Sequence, residues 1–282
     1  MTDIYRAPRG SDYTNMIRSF LVRGRLKGEY ISELMTPEAM QVWDSVFTSL
    51  AANPENNSEI YEFLGDGSIN NAIVFYLLRR FPQLKCAKGV KVLARLKINM
   101  VSREYFSSIA TTLGFEPFIT STMEEKAVDM KKLLEDSLEA AFGALVWMLD
   151  EKVRNGVGNS IAYNIISSVL DEREISLEYT WLFDAMTRLK EMFDSGILKA
   201  RGIGVMKKIE PQKNMSPRNP SENFSVSIYR QLPSGASELM GSGIGETPGD
   251  AKQAAAEMAI KHLNNLGFRK DPAPEYARFC RY

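Results

Sequence analysis

The chain has 282 residues with 35 Lys+Arg against 35 Asp+Glu, and its hydrophobic and charged fractions, 44% and 25%, are those of a globular protein. That length admits two domains with real cores, no apolar run approaches the ~20 residues of a membrane span, and the start, Met1 to Arg6, lacks the apolar region of a secretory signal. Two unclustered cysteines, Cys86 and Cys280, and a single histidine, His262, leave no framework for disulfides, zinc or imidazole-based triads, and point to an intracellular, cytoplasmic protein that works with carboxylates.

Helical periodicity runs nearly unbroken from Asp12 to Leu170, interrupted at Pro37, Pro54, Pro82, Pro117 and Gly156-Val157-Gly158, which predicts an all-α first domain over residues 1–180. Within it, Glu59-Ile-Tyr-Glu62-Phe-Leu-Gly-Asp66 is answered seventy residues later by Asp136-Ser-Leu-Glu139-Ala. Glu62 and Asp66 are four apart and Asp136 and Glu139 three apart, so each pair projects from one helix face. Like charges at these spacings destabilise a helix unless a cation joins them. Their neighbours Phe63, Leu64, Ile69, Leu134, Leu138 and Phe142 belong to core helices, where acids are costly to desolvate without partners. Hard divalent ions take such oxygen ligands and leave coordination positions for phosphate. On spacing alone, solvated acids on amphipathic helices remain a competing reading.

Downstream, a helix over Leu182–Asp194 precedes strand-like stretches at Ile203–Ile209, Phe224–Arg230 and Glu238–Gly245, then a final helix over Ala251–Asn265. The stretch Pro211–Asn223 reads as the loop joining the first two strands. This α-β-β-β-α order predicts an α+β domain over 181–267 with an antiparallel sheet and both helices on one face. Residues 268–282 read as a frayed tail. Residues 1–182 hold 20 basic and 24 acidic side chains, residues 183–282 hold 15 and 11, a weak pointer to nucleic acid at the C-terminal end.

The acidic blocks resemble the ribonuclease III family. Its signature helix, Glu-x-x-Glu-Phe-Leu-Gly-Asp, is matched at Glu59, Glu62, Phe63, Leu64, Gly65 and Asp66, and its second acidic helix at Asp136, Glu139 and Ala140, followed by Phe142-Gly143-Ala144-Leu145. Arg95-Leu96-Lys97 and Val101-Ser102 fall where the family carries Leu-Arg-x-x-Leu-Val-Ser, with Lys97 for a common arginine and Arg103 for a frequent asparagine. The resemblance implies a multidomain protein: an all-α endonuclease domain followed by a double-stranded RNA-binding domain. It implies that Glu62, Asp66, Asp136 and Glu139 hold one or two magnesium ions, with manganese as a substitute, against the scissile phosphate, and that Glu59 lies near a dimer interface. It implies a homodimer packed through the signature helix at Phe63, cutting double-stranded RNA to leave short 3′ overhangs, with no membrane attachment.

In the second domain, Asp184–Glu191 is similar to the opening helix of a double-stranded RNA-binding domain, and Gly241-Ser242-Gly243 with Ala251–Glu257 to its closing segment. The resemblance sets Thr187, Lys190 and Glu191 against a minor groove and its 2′-hydroxyls. The family's lysine cluster at the last helix reads here Pro248-Gly249-Asp250-Ala251-Lys252. Only Lys252 remains and Asp250 adds a negative charge facing phosphate, so this domain alone binds weakly. The alternative function is a catalytically silent duplex-RNA-binding protein, for sequestration or ribonucleoprotein assembly; the complete acidic quartet favours cleavage.

Overall fold

The computed structural model describes residues 3–194, 205–208, 212–214, 223–232 and 234–280. The chain divides into two compact units, Met1–Ile175 and Ser176–Tyr282.

The first unit is helical: α1 (Ser11–Arg23), α2 (Gly28–Glu33), α3 (Pro37–Val46), α4 (Glu59–Arg80), α5 (Val90–Met100), α6 (Arg103–Thr112), α7 (Met123–Val128), α8 (Met130–Lys152) and α9 (Val157–Leu170). A short antiparallel ribbon pairs β1 (Ile4–Tyr5) with β2 (Ser121–Thr122). Pro37, Pro82 and Pro117 open helical turns rather than only ending them, because proline's missing N–H is an orphan donor at that position. Gly156 caps α9 with φ 89°, a left-handed conformation cheap only for glycine. The Asp150 carboxylate accepts from the N–H groups of Gly156 and Gly158 at 2.8 and 2.7 Å, fixing that turn.

Helix α8 is the axis of the unit. It buries Leu133, Leu134, Leu138, every residue from Ala140 to Leu145, Met148 and Leu149, the all-round burial of a helix enclosed by others. It packs on α3, α4, α6 and α9. Phe142 reaches the aromatic cluster of Phe20, Trp43, Phe47 and Phe115, with the Phe20 and Phe142 rings edge-to-face at 5.5 Å. Such pairs add to stability beyond their burial.

The second unit holds α10 (Tyr179–Leu182), α11 (Ala185–Asp194), β3 (Val205–Lys208), β4 (Gln212–Asn214), β5 (Asn223–Gln231), β6 (Ser237–Gly245) and α12 (Pro248–Asn265). The single helix expected over Leu182–Asp194 is two: Phe183 is extended, and Asp184 accepts from the Thr187 N–H at 2.9 Å to start α11 afresh. All strand pairings are antiparallel. Because β6 pairs along one edge of β5, β3 and β4 share the other edge, facing Ile228–Gln231 and Asn223–Ser225. Gln212–Asn214 therefore belong to the sheet rather than to the loop read from the Pro, Asn and Ser content; residues 203, 204, 209–211 and 215–222 lie outside the described residues. Gly241 and Gly243 let α12 lie directly on β6: a Cβ on Gly243 would sit 2.3 Å from the Ala255 nitrogen. This is the reason for pairing a Gly-x-Gly strand with an alanine-rich helix.

The tail is not frayed. Tyr276, in the one-turn helix Pro274–Ala277, packs edge-on to Phe183 with ring centroids 5.0 Å apart, Cys280 is buried, and Lys270 pairs with Glu191 at 2.8 Å. Aromatic residues spaced along a polar tail gave no periodicity by which to foresee this docking.

Candidate active site

Two glycines bring the acids together. Gly65 of α4 and Gly143 of α8 face each other where the helices cross: a Cβ on Gly65 would lie 1.7 Å from the Glu139 carbonyl oxygen, and one on Gly143 would lie 1.9 Å from that of Tyr61. Helix axes ordinarily stand 8–10 Å apart according to the side chains between them; here the backbones touch. Glu62 and Asp66 lie beside Gly65 on α4, and Asp136 and Glu139 lie two turns and one turn before Gly143 on α8, so the backbone contact sets both pairs beside one helix crossing. Glu59, the first residue of α4, is exposed; with Asp136 it lines a cavity of about 620 Å³ whose apolar walls include Leu50, Ile119, Val128 and Leu133.

The electrostatics show the crowding. Burial, followed by repulsion from Asp136 and, more weakly, Glu59 and Glu135, pushes the Glu62 carboxyl up to about 7. Burial, followed by Asp66, Glu135, Glu62 and Asp136, pushes Glu139 up to about 8. Asp136 is also raised, burial outweighing the hydrogen bond it accepts from Lys132. The Glu62 Oε2 atom is buried with no hydrogen-bond partner, a costly state for a carboxylate. Among the described residues no three acids converge closely enough to chelate an ion as they stand; Lys132, one turn before Asp136, holds that carboxylate instead. The donor set nevertheless fits a hard cation: all ligands are carboxylate oxygens, they repel one another, and one buried oxygen lacks a partner.

Spacing alone would have found Lys132, an i,i+4 partner of Asp136, although nothing else in the sequence singles it out. Arg103 bridges Glu135 at 2.8 Å and Asp129 at 2.9 Å, drawing an additional carboxylate of α8 away from the quartet.

These shifts have a sign. A native state whose carboxyls titrate near 7 and 8 binds more protons than the unfolded chain over that range, so stability falls as pH rises through those values. In divalent-free buffer, Tm is expected to drop between about pH 6 and about pH 8.5, and added calcium is expected to raise it more at the higher pH, where the ligands are ionised. Equal calcium shifts at both pH values, read by scanning calorimetry, would contradict this assignment.

Comparison with known proteins identifies the family. A family model described as the Ribonuclease III domain matches residues 59–149, from the first acid of α4 almost to the end of α8. A putative ribonuclease 3 of Invertebrate iridescent virus 6 is 37% identical over 273 residues, covering 92% of this chain and 90% of that protein. The chain belongs to the ribonuclease III family. A putative ribonuclease 3 of Frog virus 3 is 42% identical over 176 residues, 62% of this chain and 47% of that protein. A ribonuclease 3 of Lactococcus lactis is 26% identical over 213 residues, covering 74% and 82% of the two chains. As a ribonuclease III, the protein is an endoribonuclease, and its mostly helical fold is that of the family's nuclease domain. No helix among the described residues is long and apolar enough to cross a membrane.

In the second unit of this ribonuclease III, the residues expected to face RNA are differently engaged. Lys190 is exposed on α11 and Lys252 is half-buried in the first turns of α12. The Thr187 hydroxyl donates to Asp184 at 2.7 Å as part of the α11 cap. Glu191 accepts from the Tyr179 hydroxyl at 2.9 Å and pairs with Lys270. Asp250 does not present a bare charge to a phosphate: its carboxylate accepts from the Thr247 hydroxyl at 2.7 Å in a capping box. His262 is half-buried with Nε2 3.7 Å from Glu238.

Proposed function

We infer that this protein is a double-stranded RNA-specific, magnesium-dependent endoribonuclease acting as a homodimer. The observation that carries the reading is the backbone contact of α4 and α8 at Gly65 and Gly143, which supports a common site for Glu62, Asp66, Asp136 and Glu139. These four are proposed as the ion-holding residues, with Glu59 at the margin of the site and magnesium, or manganese in its place, as the ion. A bound divalent ion supplies positive charge against the phosphate and lowers the pKa of an attacking water. The chain's own part is to orient the four carboxylates by the helix crossing, to release the protons of Glu62 and Glu139, and to free Asp136 from Lys132 when the ion enters.

One acidic cluster cuts one strand, so cutting a duplex calls for two clusters about a twofold axis. The exposed apolar residues of α4 support a second copy as the partner: Phe63 is 79% and Ile60 60% exposed, beside the acids. In the second unit, α11 and α12 pack on one sheet through Met186, Leu189, Val226, Ile228 and Ala255, an arrangement that supports its reading as a duplex-RNA-binding domain with Thr187, Lys190, Glu191 and Lys252 on the contact face. The domains are proposed as 1–180 and 181–267, with 268–282 a tail whose Lys270 and Tyr276 pack on the latter.

The test is a perfect duplex of a few tens of base pairs with each strand end-labelled in turn. Magnesium-dependent cuts on both strands, offset to leave short 3′ overhangs, are expected; cleavage of the separated strands at an equal rate would overturn the duplex reading. Phe63→Asp places a charge on the proposed axis. It is expected to convert a dimer of 31.8 kDa chains to monomer by light scattering and to abolish the paired cuts. An unchanged mass would remove Phe63 from the interface.

A further inference from the structure

Between Asp66 and Glu104 lie 37 residues with no acid and eight bases, in a protein of zero formal charge; the remainder of the first 182 residues holds 12 basic and 24 acidic side chains. Several of the eight have local tasks. Arg79, Arg80 and Lys97 stand in last turns of α4 and α5, where cations oppose the helix dipole. Arg79 also stacks on Tyr163, its guanidinium 4.4 Å from the ring, and Arg80 donates to the Tyr76 hydroxyl. Lys85 and Lys88 have no such task. Both are exposed, and among the described residues neither has a carboxylate partner.

Their backbone is tightly folded. The α4–α5 connection consists of two one-turn 3-10 helices, Pro82–Leu84 and Ala87–Gly89, with Leu84 buried, the Cys86 N–H donating to the Leu84 carbonyl at 2.7 Å, and that of Gly89 to the Cys86 carbonyl at 2.9 Å. A Cβ on Gly89 would lie 2.4 Å from the Leu84 carbonyl oxygen, so the turn is packed on itself. Two lysines three residues apart are thus displayed on a fixed turn that follows directly on Arg79 and Arg80. Arg103 is neutralised by Glu135 and Asp129, but the two exposed lysines of the turn present positive charge on an otherwise acidic unit.

We propose that Lys85 and Lys88, with Arg79, form a phosphate-contact surface through which the nuclease unit holds the backbone of duplex RNA; this rests on the duplex-RNA reading above. Arg79 lies thirteen residues beyond Asp66 on α4, about 20 Å along the axis, a separation within the length of one RNA duplex. The surface offsets the repulsion between phosphate and the carboxylate pocket. It also supplies backbone affinity where the second unit has Pro248-Gly249-Asp250 in place of lysines.

The experiment measures binding of a fluorescent RNA duplex against salt concentration, using the full chain carrying Glu139→Gln to prevent turnover, with and without Lys85→Ala and Lys88→Ala. Removing one lysine–phosphate pair lowers the slope of log affinity on log salt by about 1, so the double substitution is expected to lower it by about 2 and to weaken binding several-fold. A damaged fold lowers the competent fraction without changing the slope, which separates misfolding from removal of the lysine–phosphate pairs. An unchanged slope beside salt-dependent binding of the parent overturns the surface, as expected if it were made for an acidic protein instead. A parent chain that does not bind duplex RNA at any salt concentration removes the duplex reading and this surface with it.

Discussion

Glu139→Gln is expected to reduce RNA cleavage on the order of 100-fold or more, with the fold and RNA binding retained. Glutamine keeps the size of the side chain and removes only its ionisable oxygen. In the cluster, Glu139 is half-buried and is repelled by Asp66, Glu62 and Asp136. Removing that charge relieves repulsion, so the variant's Tm in divalent-free buffer at about pH 8 is expected to equal or exceed the parent's. Activity abolished while stability is kept is the pattern of a group that works on the ion and substrate. Retention of more than about a few per cent of the parent rate would exclude Glu139 from the site.

Gly65→Ala is expected to destabilise the nuclease unit by about 3 kcal/mol or more. The added carbon would meet the Glu139 carbonyl at 1.7 Å, and neither backbone can give way without separating α4 from α8. Gly67, two residues on, provides the control, because a Cβ there meets nothing within 4 Å. Gly67→Ala is expected to be neutral or to stabilise by up to ~1 kcal/mol through helix propensity. Urea unfolding of the two variants reads the difference directly. Equal midpoints would show that the helix crossing is not held by backbone contact, and backbone contact would then no longer explain how the acids meet.

Much of the candidate site was legible in the sequence because its parts are local. Helical spacing alone paired Glu62 with Asp66 and Asp136 with Glu139, and apolar neighbours marked α4 and α8 as core helices. What joins the two pairs was less legible: Gly65 and Gly143 stood in the motifs, but a glycine needed for close approach looks the same in sequence as one tolerated on a surface. Lys132 was readable by spacing, yet a lone lysine among helical acids draws no notice without the fold. In the second unit the order of elements was readable from period and composition, whereas β4 was hidden because Gln212, Lys213 and Asn214 are poor strand formers. Asp250 looked like a charge facing a ligand until Thr247, three residues earlier, took it into a cap. The docking of Tyr276 on Phe183 joins residues 93 positions apart, and no local pattern announces such a contact.

The acids gathered at the Gly65–Gly143 crossing are proposed to act only when ionised around a divalent cation. That claim is tested most directly by the initial rate of duplex cleavage against magnesium concentration at about pH 6, 7 and 8. The predicted result is no cleavage in chelator, saturation with magnesium, and a half-saturating concentration that falls as pH rises through the values near 7 and 8 at which Glu62 and Glu139 lose their protons. Cleavage that persists in chelator, or a half-saturating concentration that does not move with pH, would contradict it.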